Sequence, residues 1–90
     1  MKSFRFVISS PDGDVFDGEA VMVSVRGIDG ELAVMAGHIP FVTIVTACDC
    51  KIELPDDTDI VGHTDGGVLT VSNDKTTLLS GSFTFEKTEK

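Results

Sequence analysis

The stretch "GELAVMAGHIPFVT", Gly30 to Thr43, reads as strand at both ends and cannot be strand in its middle. "ELAV" is short and apolar, and "FVTIVT" is rich in the β-branched residues that strands favour. Between them, Gly37 is free to take positive φ, while Pro40 fixes its own φ and pushes Ile39 into an extended conformation. The pair frames a stiff loop that projects His38 and Ile39 outward. Loops held by a β scaffold make good contact surfaces.

The rest of the chain repeats this grammar of short strands and Gly- or Pro-marked breaks. In "FRFVIS", Phe4, Phe6 and Ile8 fall on one face and Arg5, Val7 and Ser9 on the other, the period of a half-buried strand. "SPDGD", Ser10 to Asp14, is a turn. A short strand "VFDG" follows, and then "AVMVSVR" sets Val21, Val23 and Val25 against Met22, Ser24 and Arg26. "GIDG", Gly27 to Gly30, is the next turn.

Beyond Thr43 come a turn near Ala47 to Asp49, then "CKIEL", "PDDT", "DIVGH", "TDGG", "VLTVS", "NDK" and a last run, "TTLLSGSFTF". No stretch of helix length carries an i, i+3, i+4 apolar stripe. Closely spaced strands and turns predict an all-β chain, a sandwich or flattened barrel. One domain is expected over residues 1–85, with "EKTEK", 86–90, as a charged, frayed tail.

Ninety residues suffice for one core; a domain of this size buries roughly 60–70% of its unfolded surface. With neither Trp nor Tyr present, the core falls to Val, Ile, Leu and six Phe. Fifteen acidic residues against seven Lys and Arg give a net charge of −8, a repulsive field for phosphate backbones and anionic headgroups. Nucleic-acid binding and direct membrane insertion are therefore not expected. The apolar part of the N-terminus, Phe4 to Ile8, is too short for a signal sequence, and no run approaches a membrane span. Cys48 and Cys50 stand too close for an unstrained bridge, so reduced thiols and a cytosolic setting are expected.

Candidate chemistry is thin. Ser, His and Asp are all present, but "LLSGSF" is the nearest approach to a nucleophile elbow and lacks both the G-x-S-x-G motif and a following helix. "DGDVFDGE" misses the spacing of a calcium loop, and "PDDTD" reads as a solvated turn. His38 and His63, twenty-five residues apart, do not form the H-x-H pair of a metal-binding barrel. One metal arrangement stands as an alternative. If "CKIEL" and "DIVGH" form a hairpin with Leu54 opposite Asp59, then Cys50 faces His63 and Cys48 lies near Asp65, a zinc-capable set. It depends on the register, because a slip of one residue sends every side chain to the other face. The reading preferred is structural: half-buried or buried free cysteines and a strand-surface His63. No catalytic residue, cofactor or metal is assigned.

The order of the motifs carries a resemblance. "FRFVISSPDGDVFDGEAVMVSV", "GIDGELAVMAGHIPFVT" and "DGGVLTVSNDKTTLLS" together resemble the N-terminal β domain of the epsilon subunit of F-type ATP synthases, from Phe4 to about Ser80. The patterns GELxVxxGHxPxxT and GGxLxV are its most specific parts. The resemblance implies a flattened β sandwich of about ten short strands on the central rotor stalk. It implies packing of one face against the gamma subunit, with a loop end pointing at the polar loops of the membrane c-ring. The role so implied is rotor coupling during proton- or sodium-driven ATP synthesis, without bond chemistry, on the cytoplasmic side of the membrane as a peripheral part of the complex. It marks Glu31, His38 and Ile39, with Ser10, Asp12 and Gly13 of the first turn, as contact residues at the rotor-facing end.

Three departures qualify it. Ala36 stands where the family usually has Pro before Gly-His, and "ACDCKIEL" replaces a stretch that commonly carries a Gly and a basic residue. The family normally continues into a C-terminal helical hairpin, its inhibitory and in some members nucleotide-binding arm, whereas this chain stops at "FEKTEK". Neither of that arm's functions is expected here.

Overall fold

A computed structural model describes residues 2–37, 39–73 and 75–85. His38 and the expected tail at 86–90 lie outside them. The described residues form ten strands and no helix: β1 (Phe4–Ser10), β2 (Gly13–Ala20), β3 (Met22–Gly27), β4 (Gly30–Met35), β5 (Phe41–Val45), β6 (Cys48–Glu53), β7 (Asp59–Thr64), β8 (Gly67–Val71), β9 (Lys75–Ser80) and β10 (Phe83–Phe85). The all-β sandwich expected from the alternation is what the chain builds.

Hydrogen bonding runs continuously in the order β10-β7-β6-β3-β5-β8-β9-β1-β2, with β4 on the other edge of β3. Pairing is antiparallel except between β1 and β9. The ribbon is narrowest between β3 and β5, where Gly27 opposite Val45 is the pair that joins them. There it folds into two leaves, β4-β3-β6-β7-β10 and β5-β8-β9-β1-β2. Inward residues of both leaves make one core: Phe6, Ile8, Leu69 and Leu78 from the second leaf meet Val23, Val25, Val34, Cys50 and Ile52 from the first. Each of the larger side chains contributes roughly 2 kcal/mol by leaving water.

The hairpin of β6 and β7 forms, but in a different register from the one expected. Glu53 pairs with Asp59, Ile52 with Ile60, Cys50 with Gly62 and Asp49 with His63. The turn decides this. Leu54 N–H donates to the Thr58 carbonyl at 2.8 Å and Asp57 N–H to the Leu54 carbonyl at 3.1 Å. Asp57 takes the left-handed conformation, φ 69°, and the Asp56 carboxylate accepts from Thr58 N–H at 3.1 Å. Three residues, Pro55 to Asp57, therefore close the loop as a turn plus a left-handed residue. The expected four-residue "PDDT" loop would have shifted every pair by one.

The last run also differs: it breaks at Gly81 and Ser82 into β9 and β10. Asp65 causes the break, its carboxylate accepting from Ser82 N–H at 3.0 Å while its own N–H donates to the Ser82 carbonyl at 3.2 Å. Ser80 Oγ, donating to the Ser82 carbonyl at 2.7 Å and lying 2.6 Å from Thr64 Oγ1, ties the corner internally. The chain thus crosses between leaves, and β10 pairs with β7.

Candidate interaction surfaces

The register correction removes the zinc arrangement. Cys50 is fully buried among core residues, while His63 is exposed on the outer side of the same hairpin. Burial pushes the Cys50 thiol up to about 12, which holds it protonated in the core. No cluster of metal-ligating side chains occurs among the described residues. Cys48 has a structural task instead. Where the chain passes from β5 to β6, its ladder on β3 slips by three residues, from Gly27 opposite Val45 to Ser24 opposite Lys51. In the gap, Cys48 Sγ accepts the Arg26 N–H at 3.3 Å.

An open groove of about 700 Å³ lies over this slip, lined by Arg26, Glu31, Cys48, Asp49, Lys51 and His63 among others. Two ion pairs border it, Arg26 with Glu31 at 3.3 Å and Lys51 with Asp59 at 3.6 Å, and His63 Nδ1 lies within hydrogen-bond distance of the Asp49 carboxylate at 3.2 Å. All are solvated. The outer face of this leaf is an ion-paired surface.

The outer face of the other leaf is different. Ile44, Val68 and Leu79 lie in one line across β5, β8 and β9, because Ile44 pairs with Val68 and Val68 with Leu79. Ile28 extends the line, donating its N–H to the Ile44 carbonyl at 2.9 Å. These four are 62% (Ile28), 55% (Ile44), 37% (Val68) and 52% (Leu79) exposed, and Val42, two residues along β5, is 66% exposed. A contiguous exposed apolar strip of this kind marks a surface made for contact. On the far side the line continues through Ser9 to Asp14, whose carboxylate accepts the Ser9 hydroxyl at 2.6 Å.

The residues expected at one rotor-facing end are divided between two ends. The Ser10–Gly13 turn is held by Ser10 Oγ, which accepts Asp12 N–H at 3.3 Å and donates to the Gly13 carbonyl at 3.1 Å. Gly13 has φ 124°, open to glycine. This turn and the β3–β4 turn beside Glu31 flank the Ile28–Ser9 line, so they share an end. β4 then carries the chain away from Glu31, over about 17 Å at the rise of a strand. Ala36, Gly37, Ile39 and Pro40 emerge at the opposite end. Ile39 is 75% exposed there, beside the start of β5.

Sequence reading missed the apolar strip, although a signal was present. "FVTIV", "GVLTV" and "TTLLS" are apolar at both parities, and a strand with one solvated face would carry polar residues at Val42, Ile44, Val68 and Leu79.

Comparison with known proteins agrees with this architecture. The family model described as ATP synthase, Delta/Epsilon chain, beta-sandwich domain, matches residues 3–86. The ATP synthase epsilon chains of Bacillus thuringiensis (strain Al Hakam) and Bacillus mycoides (strain KBAB4) are each 39% identical over 82 residues, 91% of this chain. The chain spans 61% of their length. Among solved structures, a chain of the Euglena gracilis mitochondrial ATP synthase, OSCP/F1/c-ring in rotational state 1, superposes with a TM-score of 0.87 at 15% identity, covering 92% of this chain and 53% of that one. A chain of the Tetrahymena thermophila mitochondrial ATP synthase central stalk and c-ring gives 0.72 at 11% identity, covering 91% and 66%. At such identities the superpositions speak for the fold. With its β sandwich matched nearly end to end by the family model, the chain belongs to the delta/epsilon-chain β-sandwich family of ATP synthase.

Proposed function

We infer that this chain is an epsilon-type central-stalk subunit of a rotary ATP synthase, a non-catalytic adaptor that couples the gamma subunit to the membrane c-ring during ion-driven ATP synthesis. The observation that carries the reading is the exposed apolar strip Ile28–Ile44–Val68–Leu79 on a chain of net charge −8. A highly charged chain stays dispersed without such a strip, so the strip has a partner's surface to cover it. Gamma takes that face. The end bearing Ser10, Asp12, Gly13 and Glu31 meets the polar c-ring loops, and Ile39, adjoining Val42, belongs to the gamma contact. The chain then works at the cytoplasmic side of a membrane, peripherally and through other subunits.

Co-purification with the gamma subunit of the same source tests this. A stable complex at micromolar concentration is expected, with Glu31→Ala weakening c-ring association and leaving gamma association unchanged. No complex at that concentration, or an effect of Glu31→Ala confined to gamma, contradicts the reading.

A further inference from the structure

β2 is the terminal strand of its leaf. It pairs with β1 along its length, and among the described residues no strand pairs with its other edge. At eight residues it is the longest of the ten strands, whereas β10, at the opposite end of the ribbon, has three. Exposed edges are ordinarily blunted by short length, Pro, Lys or a bulge, since their free N–H and C=O groups template another strand. β2 contains neither Pro nor Lys. Its bulge sits at Ile8/Ser9, near the turn, and leaves Phe16 to Ala20 in regular register with Ile8 to Phe4.

What guards this edge is charge of one sign. Asp14, Asp17 and Glu19 are exposed along it and Asp12 sits in the adjoining turn. Arg5 matches Asp17 at 2.8 Å and lies near enough to act on Asp14 and Glu19, which accept the hydroxyls of Ser9, at 2.6 Å, and Ser3, at 2.7 Å. Such an edge repels a second copy of itself, because like charges directly opposite are destabilising. It suits an extended segment carrying Lys or Arg at alternate positions. The intervening positions would face the side of Phe16 and Gly18 and be apolar.

We propose that the free edge of β2 is a docking site for an extended basic segment of a partner protein, which adds there as a further strand. It adjoins the apolar strip at Asp14 and does not rest on the assignment to a rotor.

The test uses the full 90-residue chain and a synthetic ten-residue peptide alternating Lys and Val, read by amide hydrogen exchange. Exchange at alternate amides between Val15 and Glu19 is expected to slow at least about tenfold, corresponding to 1.4 kcal/mol. A peptide with Glu for Lys is expected not to bind. A peptide N-methylated at alternate residues keeps its charge, cannot complete the ladder, and is expected to bind at least about tenfold more weakly. Glu19→Lys, an exposed substitution that leaves the fold intact, weakens the Lys peptide by at least about fivefold. Equal binding of the N-methylated peptide reduces the effect to surface charge and overturns the proposal. So does protection at β4 or β10 in place of β2, an unchanged affinity in Glu19→Lys, or a dimer formed through β2 without peptide.

Discussion

The two outer faces of the sandwich are built by the same alternation and end up opposite in character. On β3, β4, β6 and β7 the outward positions carry Arg26 with Glu31, Lys51 with Asp59 and His63 beside Asp49, and Met35 is exposed at the far end of β4. On β5, β8 and β9 they carry Val42, Ile44, Val68 and Leu79. Exposed ion pairs contribute little to folding, about 0–1 kcal/mol, and water satisfies them when they separate. The apolar positions gain nothing from water. What the contrast teaches is that water accounts for the first face and does not account for the second, the face proposed above for gamma.

The contrast can be broken most completely at Gly67. A Cβ there would collide with the Leu79 carbonyl oxygen, so Gly67→Ala forces β8 from β9 and dismantles the apolar line from beneath. We expect a loss of about 3 kcal/mol, seen as a fall in Tm of about 15 °C by calorimetry. Ile44→Asp sharpens the contrast instead. It should cost about 2 kcal/mol of gamma binding, roughly thirtyfold in Kd by titration calorimetry, and change stability by no more than about 0.5 kcal/mol.

A smaller effect is expected at the charged margin of the apolar face. The hydrogen bond from Arg5 holds the Asp17 carboxyl below its ordinary range. Its stabilisation is therefore complete above the ordinary carboxylate pKa, near ~4, and is lost as pH falls through the lowered folded value. Thermal unfolding followed from pH 6 to pH 2 should show a steeper acid loss in the wild type than in Asp17→Asn. Identical slopes would remove the pair from the account. Smallest of all is Lys51→Ala on the ion-paired face, expected within about 0.5 kcal/mol in denaturant unfolding and without effect on gamma binding.

Fold class was legible because inward positions alternate cleanly: Phe4, Phe6 and Ile8, then Val23 and Val25, all pack inward in the structure. The "GGxLxV" pattern also has a physical reading, since Gly66 sits at φ 110° and Gly67 lies against a carbonyl. The β6–β7 register was not legible, because it turns on Asp57 taking a left-handed conformation that a string of polar turn residues does not announce. That single residue decides whether Cys50 meets His63 or the core. Nor did spacing along the chain reveal that Glu31 and Ile39, eight positions apart, leave β4 at opposite ends. The split of "TTLLSGSFTF" depends on Asp65, fifteen residues before Ser80, and so on a contact that only the folded chain makes.

The most direct test compares the two faces in a single titration of gamma. Ile44→Asp combined with Leu79→Ser should raise Kd about a hundredfold, about 2.7 kcal/mol, while Asp49→Ala combined with Lys51→Ala should change it less than about threefold. The reverse ranking, or equal losses from both double variants, would contradict the assignment of the apolar face to the gamma contact.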